Sequence, residues 1–159
     1  MRYAPSLLDK LMRVQSTGRV GEKSRGLSLD EVEDSVAADL EALLNTRCPL
    51  GEEHESRYPL SVRSVVNYGV SDFSSRTLTS GLDRDFICAS IRSAIERQDR
   101  RLRGVQVQLN GAVRGANRLN FTIRATLRVS DVGELVSFEA RFEPTLQRYS
   151  VARRAASTI

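Results

Sequence analysis

The sequence predicts an α+β domain: two main helices followed by an antiparallel β meander, preceded by a short helical stub. Three observations carry this expectation. Apolar residues recur at helical spacing in two separate stretches and then switch to strict alternation in the C-terminal half. Turn-forming residues fall between these stretches rather than inside them. At 159 residues, 40% hydrophobic and 28% charged, the chain has the size and balance of one domain with an ordinary core.

The stub comes first. Leu7, Leu8, Leu11 and Met12 share one side of a one-to-two-turn helix, and a glycine-bearing stretch from Gln15 to Gly26 follows without apolar period. Residues 1–27 therefore read as an amphipathic stub on a flexible linker, set away from the body and suited to docking on something else. Residues 28–153 read as the single α+β domain, and 154–159 as a disordered tail.

The first helix opens at Ser28-Leu29-Asp30-Glu31, a capping-box pattern, with Leu29, Val32, Val36, Leu40, Leu43 and Leu44 as its apolar stripe and Glu41 on the solvent side. Pro49, Gly51 and Pro59 make the next stretch a loop, and Asn67-Tyr68-Gly69 is a turn signal. The second helix is expected from Leu82 to about Gln98. Ser80 to Asp83 would cap it, Phe86, Ile87, Ile91, Ala94 and Ile95 form its buried face, and Gly104 closes the region.

Alternation then takes over. Val105, Val107 and Leu109 form one apolar phase, Leu119 to Val129 a second, Val136 to Phe142 a third, and a last strand follows around Arg148–Val151. A four-residue turn at Ser130–Gly133 sets Phe121 opposite Phe142 and Arg124 opposite Glu139.

The chemistry of catalysis is missing from this pattern. The single histidine, His54, sits in an acidic loop with Cys48 as its nearest thiol and no second ligand pair at metal spacing. The glycines are isolated, so no phosphate-cradling loop is present. Glu52, Glu53 and Glu55 lie in a polar loop, without the apolar pocket a glycosidase acid needs. The expectation is a non-enzyme without cofactor or metal.

Charge is uneven. Residues 1–80 carry 10 basic and 12 acidic side chains, whereas residues 81–159 carry 14 and 8, and all 14 of those cations are Arg. An Arg-rich half permits a protein interface or a phosphate-contacting surface. An Arg-rich nucleic-acid-binding domain is therefore the alternative reading. Against it, sheet-based RNA readers need aromatics on the exposed face, and Phe121, Phe138 and Phe142 share the apolar phase. No apolar run spans a bilayer and no secretory leader is visible, so a cytoplasmic protein with reduced thiols and no membrane insertion is expected.

Several segments, in order, resemble one family. Pro5-Ser6-Leu7-Leu8-Asp9-Lys10-Leu11 is similar to its N-terminal element, Asp39 to Arg47 to its Leu-x-x-Leu-Leu-Asn-Thr-Arg helix end, and Ser64 to Phe73 to its central Asn-Tyr-Gly…Asp-Phe signature. The family is that of the type VI secretion baseplate wedge subunit TssE, related to a small wedge protein of contractile phage baseplates. The resemblance spans residues 5–151 and implies a structural, cytoplasmic role. Its partners would be the baseplate proteins TssF and TssG and the sheath proteins TssB and TssC, with a β-strand offered as the template on which sheath polymerisation starts.

The family's Glu-Pro-Arg element after the second helix is matched by Asp99-Arg100-Arg101, with Arg100 in place of the proline, which frees φ and restores an N–H. On this reading Leu7, Leu8, Leu11, Asp99 and Arg101 anchor the domain to wedge partners. Arg148, Tyr149 and Val151 form the edge strand that a sheath subunit would extend.

Overall fold

The structure, a computed structural model, describes residues 3, 26–50, 56–61, 64–72, 80–110, 119–129, 133–143 and 145–154. Helix α1 spans Leu29–Leu44 because its first turn is closed chemically as the sequence predicts: the Ser28 hydroxyl accepts from the Glu31 N–H, and the Glu31 carboxylate accepts from the Ser28 N–H at 2.7 Å. Val32, Val36, Leu40, Leu43 and Leu44 are buried along one stripe. Helix α2 spans Gly81–Gln98 and buries Ile87, Ile91, Ala94 and Ile95. Ser80 occupies its N-cap position without a side-chain capping bond.

Four antiparallel strands follow in the order β1-β2-β3-β4, spanning Leu102–Asn110, Leu119–Arg128, Gly133–Glu143 and Arg148–Arg153. Both helices pack on one face, α1 over β4 and β3, α2 over β1. Phe121, Ile123, Leu127, Phe138 and Tyr149 are buried beneath them. Burial of these side chains is the main term holding the domain together, at ~1.5–3 kcal/mol for each large apolar side chain.

Three expectations need correction. Gly104 lies inside β1 rather than before it: at φ 60° it sits where the pairing with β2 slips between Arg103 and Gln106, a bulge that glycine's missing Cβ permits. Strand β2 pairs Phe121 with Ala140 and Arg124 with Ser137, two residues from the expected register. A slip of two keeps every side chain on its own face, so alternation cannot choose between the registers. What differs is Gly133, which belongs to β3 and lies so close to Thr126 that an added Cβ would stand 2.6 Å from its methyl group. Thr122, expected on the exposed face, is 3% exposed and accepts from the Asn110 side-chain amide at 2.9 Å.

Among the described residues, Tyr3 is bound to the segment that enters α1. Tyr3 and Leu27 exchange two backbone hydrogen bonds of 2.8 Å, and Leu27, placed by sequence in the linker, is buried in the core. Leu7, Leu8 and Leu11 lie outside the described residues, as do His54 and 155–159 of the expected tail. Arg154, by contrast, continues the sheet by donating its N–H to the Ser137 carbonyl at 2.9 Å.

Candidate partner-binding site

Two places gather the functional side chains expected from sequence. The first is the corner between α2 and β1. The Asp99 carboxylate, 11% exposed, accepts from the Arg101 backbone N–H at 2.9 Å and from two nitrogens of its guanidinium, at 3.0 and 2.7 Å. The same guanidinium reaches Asp39 on α1 at 2.5 Å. Arg101 is thereby held between two carboxylates, and their hydrogen bonds and charge outweigh burial to push its pKa above the ordinary arginine value. A cleft of about 270 Å³ opens here, and Tyr68 lines it. Burial, reinforced by Asp39 and Asp99, raises the Tyr68 phenol.

Tyr68 reaches that cleft because the signature around it is built into the end of α1. Asn67, fully buried, accepts from the Cys48 thiol at 2.9 Å, and its carbonyl accepts from the Gln98 side chain at 3.1 Å. Cys48 and Val70 then hold two strand-like stretches together, Cys48 donating to Val70 and Val70 to Thr46, both at 2.9 Å. Gly69 makes the approach possible. It sits at φ 114°, and a Cβ there would be 2.4 Å from the Thr46 carbonyl oxygen. The Asn-Tyr-Gly run is thus a brace that positions the corner.

The second place is the outer margin of β4. Arg154 bonds inward to Ser137, so the antiparallel alternation turns Ser150 and Ala152 towards β3, with the backbone groups of Tyr149 and Val151 facing out. Those outward groups meet side chains of α1. The Asn45 side-chain oxygen accepts from the Tyr149 N–H at 2.9 Å, and its amide nitrogen donates to the Tyr149 carbonyl at 2.9 Å. The Glu41 carboxylate accepts from the Val151 N–H at 2.9 Å, with Arg148 at 3.9 Å on its other oxygen. A groove of about 690 Å³ follows this margin, lined on the helix side by Ala37, Ala38 and Ala42.

Of the residues expected at this edge, Arg148 is exposed at its side chain and Val151 is half-buried. The Tyr149 ring, however, is 1% exposed and packs on Phe142 and Phe121, with centroids 4.7 and 6.2 Å away. Only its backbone faces the groove. Burial drives its phenol well above the ordinary range, and its hydroxyl has no hydrogen-bond partner among the described residues. Sequence reasoning missed Glu41, Asn45 and Asp39 as members of either place. Glu41 reads as a solvated helix position and Asn45 as a helix end, because periodicity reports which face is apolar and not which strand edge lies beside the polar one.

The Arg-rich surface offers no stacking platform at the described positions. Phe121 and Phe138 are buried, Phe142 is packed against the core, and Arg101, Arg148, Arg153 and Arg154 each lie within 4.0 Å of a carboxylate. No group of three or more metal-ligating side chains occurs among the described residues.

The chain matches no curated protein. A family model described as baseplate wedge protein gp25 matches residues 30–132, from the first turn of α1 to the end of the β2–β3 connection. That is about two thirds of the chain and includes the braced corner, though not the strand β4 whose margin α1 covers. The order of elements and the match together settle the matter of kinship: this chain belongs to the baseplate wedge protein gp25 family.

Proposed function

We propose that the chain is a structural subunit of the cytoplasmic baseplate of a type VI secretion system, where it links wedge partners to the sheath and starts sheath polymerisation by strand templating. Membership of a baseplate wedge family supports the structural role in a contractile injection machine. The observation that carries the finer reading is the margin of β4. It is the terminal strand of the sheet, and side chains rather than another strand meet both outward backbone groups of Tyr149 and the outward N–H of Val151. A sheath subunit of the TssB or TssC kind would add its own strand there, with the spacing and direction of β4 setting those of the first ring. Arg101 and Asp99, together with the stub bearing Leu7, Leu8 and Leu11, would hold TssF and TssG.

The test is Val151→Pro. This position donates outward, so proline removes the template bond and leaves the ladder to β3 intact, the one kind of site where a strand tolerates it. Sheath capture is expected to fail while the wedge complex still forms and the variant still melts cooperatively. Normal sheath assembly on a folded Val151→Pro protein refutes the templating role.

A further inference from the structure

We infer that Asn45 and Glu41 form a latch that occupies the β4 edge as a substitute for a neighbouring strand, and that a partner strand engages by displacing them. The inference rests on the templating reading and concerns how that site is controlled. A residue of an adjoining antiparallel strand would exchange two bonds with Tyr149, one at its N–H and one at its carbonyl. The Asn45 side chain makes both, because its amide carries the donor and the acceptor of a peptide group. Two residues further on, where the next such pair would form, Glu41 takes the Val151 N–H. The Glu41 carboxylate has no donor to offer the Val151 carbonyl, which leaves an incoming strand one acceptor to start from.

The latch is anchored yet detachable. The Asn45 amide also donates to the Glu41 carbonyl at 2.8 Å, and the Asn45 backbone N–H bonds to the same carbonyl at 3.1 Å, so its position is fixed by the last turn of α1. Everything it contributes to the edge comes from one side chain, and the same is true of Glu41. Both can rotate away without unwinding the helix. The alanines of α1 along the groove leave space for an extended backbone once they have done so. Until then the edge is closed to a second copy of this chain, which answers the hazard of an open strand.

Hydrogen exchange on the whole chain, read at the Tyr149 and Val151 amides, tests the latch without any partner. Asn45→Ala is expected to lower protection at Tyr149 by about tenfold and leave Val151 nearly unchanged, and Glu41→Ala to do the reverse, as the loss of one hydrogen bond predicts. Asn45→Asp keeps the acceptor and loses the donor, so Tyr149 stays protected; this variant separates latch release from loss of the helix end. Mixed with purified sheath subunits, the Asn45→Ala/Glu41→Ala pair should capture them about tenfold faster than the wild-type chain. Protection that ignores the alanine substitutions, or capture by the double variant no faster than wild type, overturns the latch. Protection that responds as stated, with no capture by any form, overturns strand templating and the displacement step while the edge contacts stand.

Discussion

Tyr149 shows how much a single atom contributes. Its ring is at the centre of the aromatic contacts under α1, yet its hydroxyl is buried and unpartnered among the described residues. A buried hydroxyl without a partner carries its desolvation penalty uncompensated, so Tyr149→Phe is expected to raise stability by about 1 kcal/mol at neutral pH. The pH dependence has a definite sign. Burial raises the phenol above its ordinary value, so folding favours the protonated form. That contribution is complete below about pH 10 and is lost as pH climbs from there through the folded-state pKa. The phenylalanine variant should therefore show a shallower alkaline decline in urea midpoint, and an alkaline limb identical to wild type contradicts the buried, unpaired phenol. From sequence Tyr149 read as an edge contact, since a six-residue strand with one aromatic gives no phase strong enough to tell its inner face from its outer.

The elements were visible in the sequence to the extent that periodicity defines them. Capping at Ser28 and Glu31 fixed the start of α1, and alternation fixed which face of β2 and β3 is buried. Register escaped, because moving a strand by two residues changes no side chain's face; the pairing that brings Gly133 close against Thr126 is visible only in three dimensions. The β4 margin escaped for a related reason: it joins Asn45 to Tyr149 across 104 positions. The Arg101 corner was half visible. Asp99 and Arg101 stood out by resemblance, while Asp39, from the middle of α1, completes the arrangement. This ion pair joins the middle of α1 to the residue before β1. Arg101→Met leaves Asp99 nearly buried and without its cation, and is expected to cost about 2 kcal/mol, less than a fully buried pair because the guanidinium is 28% exposed. Adding Asp99→Asn should recover a large part of the loss in chemical denaturation. Additive losses in the double variant contradict the coupling.

At the scale of the whole molecule, Tyr3 joins the segment before α1 to the core. Tyr3 and Leu27 form an antiparallel bridge through two backbone hydrogen bonds, and Leu7, Leu8 and Leu11 fall between them in sequence. Bringing two residues that far apart in sequence together costs entropy, and the bridge is sustained by its two hydrogen bonds and by Tyr3 packing against the core. Deleting residues 1–25 removes that cover from Leu27. A loss of about 2 kcal/mol follows, from two hydrogen bonds and the uncovered apolar area, or ~4–8 °C in Tm for a chain of this size. The transition should remain cooperative, because both helices and all four strands are retained. On the proposed function, the truncated protein also loses capture of wedge partners while keeping the strand edge at β4, so that sheath subunits still bind it in isolation. Retained wedge capture would move the anchor from the stub to the Asp99–Arg101 corner, whereas loss of both partners would mean that the Tyr3–Leu27 bridge supports the fold as far away as β4.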